Sequence, residues 1–211
     1  MTPIPRTLAE FISPAHTALV MWDMQVGLAG KALHADRIVA AAQRLVAAAD
    51  AAGVLVVWSR HVLPPLDMIC GPFKLFLMKK QRVDHLDALQ PAMQEGMAET
   101  AFMPGLTPAP HHLVFEKSQP SLFVDTPADL RLKTRGISTL VLAGVATDIG
   151  IEFTARHAAA LGYYGVIAED ATGSYSEEAQ ANSIAFLRRW TTPVVQTAEI
   201  MQTWEEAGYR K

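Results

Sequence analysis

With 211 residues, half of them apolar, 18% charged, and 13 each of Gly and Pro, the chain has the size and composition of one globular domain, residues 1–211, not of a disordered or fibrous protein. A net charge of −3 and a pI near 6.1 leave no electrostatic footprint for nucleic acid, and no apolar run reaches the ~18 residues that a membrane span needs. Cys70 is the single cysteine, which rules out an internal disulfide and fits a reducing compartment. The start, Met1-Thr-Pro-Ile-Pro-Arg6, lacks the charged-then-apolar order of a signal peptide, so a cytoplasmic location is expected.

In chain order, short apolar runs alternate with helical patterns, the signature of βαβ units around a parallel sheet. Thr17–Trp22 predicts a first strand buried on both faces, and the Ala-rich stretch from Ala35 to Ala52 predicts a helix closed by a left-handed Gly53. Val54–Trp58 reads as the second strand. The segment from His61 to Pro110, rich in Pro, Met and Gly, reads as a long excursion over one end of the sheet, where lids and partner surfaces are found. Leu113–Phe115 forms the core of a third strand. Thr126, Pro127 and Asp129 then signal a helix start, with Thr126 capping and Pro127 in the first helical position. A fourth strand follows at Thr139–Ala143. Thr147 and Asp148 open a helix that ends at Gly162, with Ile149, Phe153 and Ala160 on one face. Tyr164–Ala168 reads as a fifth strand, Ser176 opens another helix, and Pro193–Val195 reads as a short sixth strand.

Asp23 directly follows the first apolar run, at the carboxyl edge where open α/β sheets bind ligands. An aspartate there also caps turns, and Gln25 beside it suits either reading. Lys117 ends the third strand at the same edge. It is either a solvated loop residue or a partner for Asp23 that holds a carboxylate or steadies a developing anion. Between Gly144 and Gly150 a strand turns into a helix, whose free first amides make a natural anion site. Glycine in a first helical turn costs about 1 kcal/mol against alanine, a cost met either by a ligand's need for space or by helix packing.

Three separated motifs now stand together: Leu19-Val-Met-Trp-Asp23-Met-Gln25; Glu116-Lys117-Ser118 with Ser121, Phe123 and Thr126 behind it; and Gly144-Val-Ala-Thr147-Asp-Ile-Gly150-Ile-Glu-Phe-Thr154-Ala155. In this order they resemble the isochorismatase-like, or cysteine hydrolase, superfamily, from Thr17 to about Val195. The resemblance implies a three-layer αβα, Rossmann-like fold with a six-stranded parallel sheet. Its site would lie at the ends of strands one, three and four, and the protein would be a homo-oligomer. It also implies an Asp–Lys–Cys triad in the amidase branches. Asp23 and Lys117 match two members, and Gly150 stands at the cysteine position, as it does in relatives that cleave a vinyl ether without a covalent intermediate. A non-proline cis peptide between Val145 and Ala146 is implied too, its amides facing the site. Where true isochorismatases carry a substrate-binding glutamine this chain has His61, and their arginine-bearing loop has no counterpart in Leu66–Phe73.

The candidate site is therefore Asp23 and Lys117 as catalytic groups, Gly150 at the vacant nucleophile position, and Gln25, His61, Phe123, Val145, Ala146 and Thr147 for substrate or oxyanion binding, with Trp22 and Trp58 as wall residues. Cys70, among apolar neighbours and far from Gly150, is not expected to act as nucleophile. The seven histidines show no paired-ligand spacing, His111 and His112 read as the polar start of a strand, and the Asp-x-His pattern of zinc-binding relatives is missing. No metal and no cofactor are expected. Without a thiolate, three readings stay open. Asp23 could protonate a vinyl ether, whose hydrolysis releases pyruvate from a small carboxylate-bearing metabolite. Asp23 could instead be a base that activates water against an amide or ester, with the amides of residues 146 to 150 as oxyanion hole. The chain could also be a degenerate member that binds a small acid or serves in an assembly.

Overall fold

The computed structural model describes residues 4–190 and 193–208. Six parallel strands, β1 (Thr17–Trp22), β2 (Leu55–His61), β3 (Leu113–Lys117), β4 (Thr139–Val145), β5 (Tyr164–Gly173) and β6 (Val194–Val195), form one sheet in the order β3-β2-β1-β4-β5-β6. Seven α-helices accompany them among the described residues: α1 (Leu8–Phe11), α2 (Ala35–Ala52), α3 (Gly71–Gln81), α4 (Ala128–Thr134), α5 (Glu152–Ala160), α6 (Glu177–Trp190) and α7 (Thr197–Gly208). None is long and apolar enough to cross a membrane.

The residues of β1 show why three layers form. Leu19 and Met21 join one apolar cluster, while Ala18, Val20 and Trp22 join the other. A strand covered on both faces must be apolar throughout, and all six residues of β1 are buried. The first cluster takes in Ile38, Ala41, Ala42, Leu45 and Ala49 of α2 with Ile200 and Trp204 of α7. Their spacing along α2 is that of one helical face, and each large aliphatic side chain so buried stabilises by about 1.5–3 kcal/mol. The second cluster is lined by Leu132 of α4, Ala155 and Ala158 of α5, and Ile184 and Leu187 of α6. Gly53 closes α2 at φ 73°, as its position predicts.

Three expectations need correcting. Strands β2 and β5 run further than their apolar stretches, β2 continuing through Ser59, Arg60 and His61, while β3 ends at Lys117 as read. Hydrogen-bonded pairing carries β2 on, with Ser59 opposite Phe115 and His61 opposite Lys117. In β5 the polar pair Glu169–Asp170 marks an irregularity of the ladder, after which Thr172 and Gly173 re-register against Gly144 and Val145. The helix after β4 opens with a wide π turn, Thr147–Ile151, which offsets its phase. Its buried face is Ile151, Thr154, Ala155 and Ala158, while Phe153 of the expected face is 54% exposed. At α4 the helix begins at Ala128, one residue later than read, with Pro127 as the boundary and the Thr126 hydroxyl accepting from the Ala128 amide at 3.2 Å. The long excursion folds over a small core of its own, Leu63, Ile69 and Met93, and carries α3.

Candidate active site

The reversal of strand order falls at β1, whose neighbours are β2 and β4, and such switch points open a crevice at the carboxyl edge. A cleft lies there, lined among others by Trp22, Asp23, His61, Lys117, Val145, Ala146 and Gly150.

Asp23, the first residue past β1, has a left-handed backbone (φ 45°) and is almost wholly buried. Its Oδ1 accepts from the Ser59 hydroxyl at 2.5 Å and its Oδ2 from Lys117 Nζ at 2.6 Å. The Ser59 oxygen in turn accepts from the Asp23 backbone amide at 3.0 Å. Lys117 is therefore no solvated loop residue. Burial pushes its ammonium below the ordinary lysine range, and the Asp23 carboxylate pulls it back up. Its Nζ also sits 4.1 Å from the centre of the Trp22 ring, a cation–π contact. Ser59 escaped the sequence reading, although a hydroxyl inside a strand buried on both faces needs a partner and so is a signal in itself.

His61 lines the cleft, and burial together with the nearby Lys117 charge pushes its imidazole down to about 4, so it is neutral at pH 7. Gln25 does not face the cleft. Its amide accepts from the His61 backbone N–H at 2.7 Å and donates to the carbonyls of His61 at 3.1 Å and Thr100 at 2.8 Å. It therefore fixes the end of β2, not a ligand. Phe123 is likewise displaced from its expected role, being stacked on Tyr163 at 5.6 Å and edge-on to His157. Trp58 is fully buried and donates to His112 Nδ1 at 3.0 Å. Thr147 is fully buried and does not line the cleft, whereas Val145 and Ala146 do, and the peptide between them is cis. The Gly150 amide donates to the Ala146 carbonyl at 2.9 Å, so it leaves the expected set of oxyanion donors.

Four cleft residues come from places the motifs did not reach. Phe73, Phe76 and Lys80 descend from α3, and Tyr175 stands after β5. Lys80 lies 5.8 Å from the Tyr175 ring centre, and no carboxylate among the described residues pairs with it. Burial lowers its pKa, helped by the charge of Lys31, and burial raises the Tyr175 hydroxyl to about 12.

The two glycines of the turn are explained by one neighbour. Gly144 has φ 122°, and a Cβ there would come within 2.8 Å of the Trp22 backbone. A Cβ on Gly150 would overlap the Trp22 indole, 2.7 Å from Cζ2 and closer still to Nε1 and Cε2. Cys70 is exposed, precedes α3 and is not part of the cleft wall. Asp50, His111 and His112 form a cluster of possible metal ligands at the opposite end of β3. There His112 Nδ1 already accepts from Trp58 and from the Ala109 amide, each at 3.0 Å, which leaves Nε2 to donate to Asp50 at 2.8 Å. The cluster ties α2 to the start of β3.

The six-stranded parallel sheet thus carries a buried aspartate–lysine pair at its carboxyl edge. Residues 17–199 match the Isochorismatase domain family, and the chain belongs to that family. It is 32% identical to the ureidoacrylate amidohydrolase RutB of Methylobacterium radiotolerans over 76% of this chain and 68% of that one. The protein of the same name from an Enterobacter species is also 32% identical, over 82% of each chain. Among solved structures, a cysteine hydrolase from Pseudomonas syringae pv. phaseolicola superposes with a TM-score of 0.83 at 22% identity, over 98% of this chain and 100% of that one. An isochorismatase family protein from Burkholderia thailandensis gives 0.74 at 28% identity, over 92% and 97%.

Proposed function

We propose that this member of the family is a hydrolase of a small carboxylate-bearing metabolite, working by proton transfer without a covalent enzyme intermediate. The observation that carries the reading is the Asp23–Lys117 pair, 2.6 Å apart and almost wholly buried, in a cleft whose nucleophile position holds Gly150 packed against an indole. With no thiolate, the bond to be broken must yield to proton transfer, and a vinyl ether does. Lys117 donates to Asp23 in an apolar setting, and burial weakens the lysine's hold on its proton. Passed to Asp23, that proton can be delivered to the terminal vinyl carbon. Water then adds to the oxocarbenium carbon and returns a proton to Asp23, and the hemiketal collapses to pyruvate and an alcohol. Lys80, free of any carboxylate partner, suits the substrate's own carboxylate, and His61, neutral, leaves the cleft's positive charge to the two lysines.

A second reading is favoured by the names of the relatives at 32% identity. There Asp23, with both oxygens accepting hydrogen bonds, is the base that turns water against the C–N bond of a ureido acid. Purified protein assayed with isochorismate for pyruvate, and with ureidoacrylate for ammonia, separates the two. Pyruvate release supports the first and ammonia release the second. Neither, at high enzyme, would remove both.

A further inference from the structure

Three tryptophans are fully buried, and their indole N–H groups differ. Trp58 donates to His112 Nδ1 at 3.0 Å and Trp204 to the Ile12 carbonyl at 2.9 Å. Trp22, 1% exposed overall, donates to no acceptor among the described residues, and its nitrogen is not among the enclosed unpaired atoms. It lines the cleft beside Asp23 and Lys117, and its Nε1 stands where the first side-chain atom of residue 150 would begin. Its ring is held by Gly150 on one contact and by the Lys117 ammonium on another.

We propose that Trp22 takes over the place of a covalent nucleophile: its ring fills the space beside Gly150, and its free indole N–H holds the hydrolytic water. The inference rests on the non-covalent hydrolase reading and deepens it. A water accepting from Nε1–H keeps a lone pair for the electrophilic carbon and presents its protons to the Asp23 carboxylate. When it adds, the new C–O bond takes that lone pair and one proton passes to Asp23. In the vinyl ether case this proton replaces the one Asp23 gave away. In the amide case Asp23 hands it to the leaving nitrogen. No oxidant or further reactant is required.

The test uses structure and thiol chemistry, so its failure is separate from failure of the hydrolase reading, which turnover decides. High-resolution crystal structures of the wild type and Trp22→Phe are expected to show an ordered water about 3 Å from Nε1 in the first and none at that place in the second, with the Asp23–Lys117 pair intact in both. A dry indole nitrogen, or one bonded to a protein carbonyl, would overturn the proposal. In a Cys70→Ser background, Gly150→Cys alone should react with iodoacetamide at least tenfold more slowly than Gly150→Cys combined with Trp22→Val. Equal rates would show that the indole does not occupy the nucleophile's place.

Discussion

Asp23 is held by three bonds from different parts of the chain: its own amide to Ser59, Ser59 to Oδ1, and Lys117 to Oδ2. This triangle sets the carboxylate's direction, and Lys80 of α3 adds a second cation to the cleft lining. Losing a charged contact to a substrate carboxylate costs about 1.5–3 kcal/mol, so Lys80→Ala should raise KM roughly ten- to a hundredfold while kcat changes little. Steady-state kinetics on the substrate found by the paired assay check this. His61 gives a pH signature. Its imidazole is pushed down to about 4 in the folded protein, against an ordinary value of 6.5. Between those values the unfolded chain binds the extra proton and the folded one does not, so stability is complete above pH 6.5 and falls as pH drops toward 4. Thermal unfolding across this window should show a shallower acid loss for His61→Gln than for the wild type. Parallel curves would contradict the assignment.

Among the elements, α2 and the β4–α5 turn have opposite duties. α2 is a packing helix, its Leu45 wholly buried against the sheet, and Leu45→Ala should cost about 2–5 kcal/mol in denaturant unfolding. The turn after β4 is a close approach. Gly144 combines φ 122° with a backbone neighbour 2.8 Å from any Cβ, so Gly144→Ala is expected to disturb the Trp22–Asp23 junction itself. Its readout is loss of turnover together with a lowered unfolding temperature, whereas Gly53→Ala, where φ is 73° and nothing stands within 4 Å, should lower the temperature alone. α3 contributes no fully buried residue, yet it brings Phe73, Phe76 and Lys80 to the cleft. On the proposed function, α3 is the element expected to express substrate choice.

Across the whole molecule, the apolar periodicity made β1, α2 and β4 legible because packing alone decides them. It stopped short in β2 at residues beside the site, since Ser59 and His61 are polar and belong to the strand through pairing. Asp23 and Lys117 were readable from their place after apolar runs and from the family motifs. Gln25 and Phe123 were assigned to the substrate because neighbourhood in sequence does not tell which way a side chain turns, and the structure gives them to His61 and Tyr163. Lys80, Tyr175 and the fit of Trp22 into Gly150 depend on segments far apart in the chain, and no local pattern carries them.

Hydrolysis by Asp23 with no thiol involved is directly testable, because the protein has a single cysteine. Pyruvate release from isochorismate should be measured side by side for the wild type, Cys70→Ser and Asp23→Asn. Equal rates are expected for the first two and a loss of about 10²–10⁴-fold in the third. Loss of turnover in Cys70→Ser, or full turnover in Asp23→Asn, would contradict thiol-free hydrolysis by Asp23.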